Sequence, residues 1–139
     1  MDYNFSAWDA YQFGLLPLVM YREANDQPDE AIAGVGWVVW NRVNHPGWWG
    51  RDIPSVILKH WQFSSFNWQD PNAQRYMSLD SISKKVISIA FNVYWKITQD
   101  PTGGATFYHD ASLSGPPAEW GQVVFLKRLG DLFFYKEAA

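Results

Sequence analysis

One glutamate stands where an apolar helical run gives way to a turn-rich segment. Residues 20–30 read MYREANDQPDE, and Glu23 closes the run that begins LLPLVMY. A carboxyl group in such a place is most often a solvated helix end, because charged side chains concentrate at the protein surface. It can instead serve as a general acid or base when its surroundings tune its proton affinity. The other side chains and the elements that position them have to distinguish these interpretations.

The rest of the chemical inventory favours the cleavage of a sugar polymer. The sequence contains no GxGxxG, GxxxxGK[ST], HExxH or GxSxG motif, no cysteine, and three widely spaced histidines, His45, His60 and His109. We therefore predict no metal ion and no cofactor. Nine tryptophans accompany many amide and hydroxyl side chains. Aromatic rings can cover the C–H faces of sugars, while Gln, Asn, Ser and Tyr side chains bind their hydroxyl groups.

The totals predict one globular domain, residues 1–139, whose partner is neither nucleic acid nor a membrane. A hydrophobic content of 47% excludes a disordered chain, and 139 residues suit a single core. The formal net charge of -3 disfavours polyanion binding. The N-terminal residues carry no base before the first apolar run, so we expect no signal peptide, and no apolar stretch reaches membrane-spanning length. We expect a soluble monomer.

Two helices are predicted to position Glu23. Apolar residues recur at helical spacing over residues 8–24, which places Glu23 in the last turn, and Pro17 predicts a kink or a late start. A second helix, apolar on almost every side, is expected between the start signal at residues 28–30 and the stop signal at residues 45–47. Since Gly34 and Gly36 are poor helix formers, we expect another backbone to pack closely against them.

Shorter elements and loops follow the second helix. We predict a short helix over residues 53–60, a strand or ordered loop over 62–66, the longest helix over 79–99 and a strand over 105–109. Trp48 and Trp49 fall in a loop rich in Gly and Pro, where we expect exposed side chains. The pattern predicts an α+β architecture, mainly helical, with a small β element beside a cleft.

Four blocks of sequence carry a family resemblance. In order along the chain they are YREANDQPDEAIAGVGWVVWNRV, QFSSF, DPTGGATFYH and LGDLFFY. Together they extend over about residues 16–136. In this set and order the blocks resemble the cell wall hydrolases typified by the spore cortex-lytic enzyme SleB. The resemblance implies a lysozyme-like fold and cleavage of peptidoglycan between N-acetylmuramic acid and N-acetylglucosamine, generally as a lytic transglycosylase.

The resemblance also implies a catalytic acid. Glu23 falls on the glutamate of a motif similar to YxEA. Partial desolvation in an aromatic cleft would raise the pKa of this carboxyl group and keep a proton available for the glycosidic oxygen. The resulting carboxylate would deprotonate the 6-hydroxyl group of muramic acid, which closes onto C1 as a 1,6-anhydro sugar. Neither a second carboxylate nor a protein nucleophile is required for this chemistry.

The resemblance also implies a set of substrate-binding residues. It places Gln62, Phe63 and Ser64 beside the acid. The other substrate-binding candidates are Tyr108, His109 and Asn41. Amide and hydroxyl groups can hold sugar substituents and steady developing charge, whereas Phe63 is closer to a packing residue. His109 would bind Glu23 or the substrate, or serve the structure alone. Arg42 would buttress the site from the second helix or serve only the fold.

The sequence departs from the family pattern at two places, where members commonly read EARGE and GNH. This chain has EANDQ and GDL, so Gln27 replaces a glutamate and Leu132 replaces a histidine. The change at Gln27 weakens a two-carboxylate mechanism unless another acid substitutes, namely Asp26, Asp29 or Glu30. Two alternatives stay open: a hydrolytic muramidase, and a catalytically silent glycan-binding or virion module.

The biological setting is predicted from the same features. A compact wall-degrading domain without an export signal fits a phage endolysin, made in the host cytoplasm and released to the cell wall by a holin. A secreted bacterial enzyme from which the signal segment has been trimmed would have the same sequence features.

Overall fold

Helices and a small antiparallel sheet make up the part of the chain that the computed structural model describes, residues 5–45, 49–59, 63 and 83–138. The helices are α1 (Ala7–Ala24), α2 (Asp29–Asn44), α3 (Ile53–Ile57) and α4 (Lys84–Tyr94). The strands are β1 (Phe107–Asp110), β2 (Val123–Leu129) and β3 (Leu132–Glu137), and a short 3-10 helix (Ala118–Trp120) precedes β2. Within these ranges, no helix is both long enough and apolar enough to cross a bilayer.

Helix α1 carries Glu23 in its last turn, as predicted. Ser6 and Asp9 start the helix with a capping box, in which each side chain accepts a hydrogen bond from the other residue's backbone N–H. The helix begins well before Pro17 and continues through it, so the late start is wrong. Ala24, the last residue of the helix, is fully buried, and this keeps the end of α1 against the core.

Helix α4 ends earlier than predicted. Lys96 adopts a left-handed conformation with φ of 55°, and its N–H bonds to the carbonyl of Val93 at 3.0 Å. The N–H of Ile97 bonds back to the carbonyl of Asn92 at 2.8 Å. These two bonds form a Schellman motif, which satisfies the last carbonyls and turns the chain away. The predicted end at residue 99 is therefore wrong. Helix α4 begins at Lys84, after its N-cap Ser83, and with 11 residues it is shorter than α1 and α2, so the predicted start and the prediction of the longest helix are wrong as well.

Helix α2 is the central element, and its two glycines make room for neighbours. A Cβ at Gly34 would lie 2.7 Å from the Phe134 ring of β3, and a Cβ at Gly36 would lie 2.9 Å from the sulfur of Met20 on α1. The close approach that the glycines predicted is thus present. It is made by side chains and not by a second backbone, which corrects the prediction.

The sheet has the order β1-β3-β2, and both pairings are antiparallel. Strand β1 begins two residues later than predicted, and the strand 62–66 lies outside the described residues except for Phe63. The β2–β3 hairpin was not predicted. On β3, Leu132 and Phe134 are buried, and the Phe134 ring at Gly34 fixes the sheet against α2.

Candidate active site

Glu23 is joined to a tyrosine from the other end of the chain. The Tyr108 hydroxyl group, 85 residues later, donates a hydrogen bond to Oε1 of Glu23. The Glu23 side chain is partly buried, so the interpretation as a solvated helix end does not describe this carboxyl group. The C-terminus of α1 and the middle of β1 therefore meet at one carboxyl–phenol pair.

Tyr108 is held between two aromatic rings. Its ring centroid lies 6.5 Å from that of Phe63 and 5.9 Å from that of Phe134, its cross-strand partner on β3. Burial, reinforced by the charge of Glu23 and by the hydrogen bond, raises the pKa of the Tyr108 hydroxyl group well above its usual value. The phenol therefore keeps its proton at neutral pH and remains the donor in its bond to Glu23.

Arg42 lies behind this pair in a cage of rings. Its guanidinium carbon is 4.1 Å from the centroid of the Trp49 ring, 5.1 Å from that of Phe63 and 5.9 Å from that of Phe107. The arginine side chain is only 5% exposed, and Nε donates to the carbonyl of Thr106 at 2.7 Å. Burial lowers the pKa of Arg42 to about 10, against the opposing influence of Tyr108 and Glu23, so the side chain stays charged at neutral pH.

The cage also corrects one prediction and identifies residues that sequence reasoning missed. Trp49 is 1% exposed, because it packs against Arg42 on one side and against Phe107 at 5.1 Å on another. Its predicted exposure is wrong, and Trp48 lies outside the described residues. The sequence did contain a signal for the cage, namely Arg42, which is the only charged residue of α2 after Glu30. A charged side chain on a helix that is apolar on almost every side needs specific partners, and these could have been sought among the aromatic residues.

Asn41 positions the loop that leads into β1. Its side-chain amide donates to Oδ2 of Asp100 and to the carbonyl of Ala105, both at 2.9 Å. The Asp100 carboxylate in turn accepts hydrogen bonds from the backbone and hydroxyl groups of Thr102 and from the N–H of Gly104. The Asn41 amide thus buttresses β1 from α2, and its predicted contact with substrate stays a prediction.

His109 lies on the opposite face of β1 from Tyr108. Its Nε2 is 2.9 Å from the Tyr135 hydroxyl group, its Nδ1 is 2.7 Å from the carbonyl of Asp110, and its ring stacks on Phe133. The structure therefore does not bring His109 to Glu23. The sequence could have predicted this, because consecutive residues of a strand point to opposite faces and Tyr108 and His109 are neighbours.

The predicted block 62–64 is described only in part. Gln62 and Ser64 lie outside the described residues, so their proposed roles stay predictions. Phe63 is 1% exposed and packs between Arg42 and Tyr108, as expected of a packing residue. The structure thus brings together Glu23, Tyr108 and Phe63 from the predicted set.

The family departures have structural consequences. Oε1 of Gln27 accepts a hydrogen bond from the N–H of Asp131 in the β2–β3 turn at 2.8 Å. A Cβ at Gly130, whose φ is 57°, would lie 2.7 Å from the same oxygen, so this turn needs glycine. Leu132 is 2% exposed and belongs to the core. Gln27 therefore fastens the hairpin to the α1–α2 connection.

The other candidate acids are on the surface. Asp26, Asp29 and Glu30 are exposed, and the carboxylate of Asp29 pairs with Lys85 of α4 at 3.2 Å. Among the described residues, no group of three or more His, Asp or Glu side chains is arranged to hold a metal ion. Glu23 is partly buried and accepts a hydrogen bond from a phenol. Asp9 shares both features through the Tyr94 hydroxyl group, but it belongs to the capping box at the start of α1.

Comparisons with known proteins identify a family and a fold. A family model described as Cell Wall Hydrolase matches residues 26–135, which include Arg42 and Tyr108 and begin just after Glu23. A spore cortex-lytic enzyme of Halalkalibacterium halodurans is 28% identical over 120 residues, covering 86% of this chain and 33% of the relative. The chain therefore spans about a third of the length of that curated relative.

Two solved structures have the same fold. The catalytic domain of the Bacillus cereus SleB protein matches with a TM-score of 0.74 and 19% identity, covering 98% of this chain and 95% of that one. The catalytic domain of the germination-specific lytic transglycosylase SleB from Bacillus anthracis matches with a TM-score of 0.75 and 18% identity, covering 98% and 100%. The predicted fold class, α+β, mainly helical and lysozyme-like, is confirmed.

Proposed function

Because this chain belongs to the cell wall hydrolase family, we propose that it cleaves the glycan strands of peptidoglycan between N-acetylmuramic acid and N-acetylglucosamine, with Glu23 as the catalytic acid. The observation that carries the proposal is the partly buried Glu23 carboxyl group held by the Tyr108 hydroxyl group. The relatives described as spore cortex-lytic enzyme and lytic transglycosylase support this substrate and this class of reaction.

The hydrogen bond from Tyr108 selects the oxygen that delivers the proton. Since Oε1 of Glu23 accepts from the phenol, the acidic proton of the neutral carboxyl group resides on Oε2. That proton passes to the glycosidic oxygen as the bond from this oxygen to C1 of muramic acid breaks. The N-acetylglucosamine leaves with a free hydroxyl group, and positive charge develops at C1.

The ionised Glu23 then acts as the base. It takes the proton of the muramic acid 6-hydroxyl group while O6 bonds to C1, which gives a 1,6-anhydro end and restores the neutral acid. Hydrogen bonds to a charged group are stronger than those to a neutral one, so the Tyr108 donor stabilises the carboxylate most as charge develops. Tyr108 thereby favours the transition state over the bound substrate.

Among the residues that the structure describes, the candidate second acids Asp26, Asp29 and Glu30 are exposed, and this favours the transglycosylase over the hydrolytic muramidase. Gln27 replaces the second family glutamate, and its side-chain oxygen is bonded to the hairpin turn. Asp29 pairs with Lys85 on the surface. A hydrolase of the inverting type needs a carboxylate that activates water on the opposite face of the sugar.

A clearing assay on purified peptidoglycan tests the proposal. The parent protein should lower the turbidity of the suspension, whereas Glu23→Gln, which keeps the shape of the side chain but has no acidic proton, should not. Asp26→Asn is the matched control, because it removes an exposed acid three residues away and should clear like the parent. A parent protein that pellets with peptidoglycan but clears nothing would instead support the silent binding module.

The endolysin setting is the biological part of the proposal. It predicts that expression of the chain in the cytoplasm of a sensitive bacterium lyses the culture only when a holin is expressed with it. Lysis without a holin, or none with it, would contradict this setting without affecting the chemistry.

A further inference from the structure

The mechanism above assigns no role to Arg42, a buried and charged side chain next to the Glu23–Tyr108 pair. Arg42 is 5% exposed, remains charged at neutral pH and is enclosed by the rings of Trp49, Phe63 and Phe107. Removing a guanidinium group from water is costly, and an apolar residue of similar size often stabilises such a site equally well. A charge in this position therefore suggests an electrostatic task in addition to a structural one.

We propose that Arg42 is a positioning residue that sets the proton affinity of the Glu23–Tyr108 pair. The proposal rests on the proposed function, because it concerns the acid of that reaction. Arg42 reaches the pair through the residue before β1 and through Phe63. Its Nε donates to the carbonyl of Thr106, and Phe63 packs on both the guanidinium group and the Tyr108 ring. The arginine thus fixes the segment that delivers the phenol to Glu23.

The ring cage makes the charge effective at the carboxyl group. Solvent and salt screen buried charges far less than exposed ones, so a guanidinium group enclosed by aromatic rings acts over a longer range. The titratable groups of the described residues that face this region are Glu23 from α1, Tyr108 and Asp110 from β1, and Arg42 itself. Glu23 and Tyr108 interact electrostatically with Arg42, and Asp110 acts on Tyr108.

The direction of the effect follows from the charges. Burial favours the neutral form of the Glu23 carboxyl group, whereas the positive charge of Arg42 and the donor of Tyr108 favour the ionised form. Arg42 thereby keeps the acid strong enough to release its proton and stabilises the carboxylate that remains as the base. Without the charge, Glu23 would hold its proton to a higher pH.

The test is the pH profile of peptidoglycan clearing for Arg42→Gln and Arg42→Lys. Both substitutions keep a side-chain donor, but only the lysine can carry a charge, and it does so below a pKa that burial lowers. Because the catalytic acid must be protonated, activity falls with rising pH as Glu23 ionises. We expect the midpoint of this fall to move upward by about one pH unit in Arg42→Gln. It should stay near the parent value in Arg42→Lys.

Controls distinguish the effect of the Arg42 charge from a loss of folding and from a failure of the proposed function. Arg128→Met removes an exposed cation of β2 and should leave the midpoint unchanged, and melting curves establish that each variant is folded. If Arg42→Gln unfolds, Arg42→Met, whose apolar stem suits the ring cage, takes its place. A folded, active and uncharged variant with the parent midpoint overturns this proposal. A parent protein that clears nothing at any pH overturns the proposed function instead.

Discussion

Replacing Tyr108 by Phe removes one hydroxyl group and keeps the ring. The contacts of that ring with Phe63 at 6.5 Å and Phe134 at 5.9 Å would remain, so the variant should fold. The lost interaction is the donor to Glu23, and a hydrogen bond to a charged group contributes about 1.5–3 kcal/mol. At about 1.4 kcal/mol per tenfold in rate, we expect kcat/KM to fall by roughly 10- to 150-fold.

The assay is the initial rate on solubilised glycan strands, followed at several substrate concentrations. Tyr135→Phe is the control, because it removes a hydroxyl group that bonds His109 on the opposite face of the same sheet. It should lower the melting temperature without lowering kcat/KM. A folded Tyr108→Phe variant that keeps kcat/KM within about twofold of the parent, while Glu23→Gln is inactive, would show that this hydrogen bond does not stabilise the transition state.

Three other perturbations have expected outcomes. Gly34→Ala puts a Cβ 2.7 Å from the Phe134 ring and should lower the free energy of unfolding in urea by about 1–3 kcal/mol; an unchanged midpoint would contradict this packing. Asn41→Ala removes both hydrogen bonds to the loop before β1, so it should lower the free energy of unfolding by about 1–3 kcal/mol and should also lower activity. A less stable variant with full activity would show that this loop does not position the site. Hydrogen bonds from Ser112 lower the pKa of Asp110, so its contribution to stability is present above the unfolded-state pKa of about 4 and is lost as pH falls through the lower folded-state value. The stability difference between the parent and Asp110→Asn should therefore shrink between about pH 5 and pH 2 in denaturant titrations, and a constant difference would be the contrary result.

Local signals predicted the elements that carry the acid. The apolar spacing before Glu23 placed it in the last turn of α1, and the start signal at residues 28–30 placed α2 correctly. These features depend on neighbouring residues, which a sequence displays directly. The end of α4 was wrong because a left-handed Lys96 stops the helix, and lysine carries no such signal.

The β2–β3 hairpin was missed for a physical reason. Strand β2 is at the edge of the sheet, and most of its side chains are exposed on both faces. Because neither face is buried along its length, apolar and polar residues do not alternate in its sequence. A β-bulge between Phe125 and Lys127 shifts the register and disturbs the pattern further. Period-two alternation detects half-buried strands, and this strand does not have it.

The contacts within the site could not be predicted from the sequence, because they join residues that are far apart along the chain. Tyr108 was a candidate from the family resemblance, but its bond to Glu23 joins residues 85 positions apart. The cage joins Arg42 of α2 to Phe107 of β1 and to Trp49 and Phe63, which come from distant parts of the chain. Such convergence is set by the fold, so the sequence indicated the acid and named Tyr108 and Arg42 as candidates, but it did not show which groups each of them contacts.

The products released from purified peptidoglycan distinguish a single acid–base residue from a mechanism with two carboxylates. Mass spectrometry of digests by the parent and by Glu23→Gln, at equal protein concentration and time, identifies both the bond broken and the oxygen that bonds to C1, O6 or that of water. We predict 1,6-anhydro-muramic ends from the parent and no soluble fragments from Glu23→Gln. Reducing muramic ends from the parent, or equal release by the two proteins, would contradict the assignment of a single acid–base residue at Glu23.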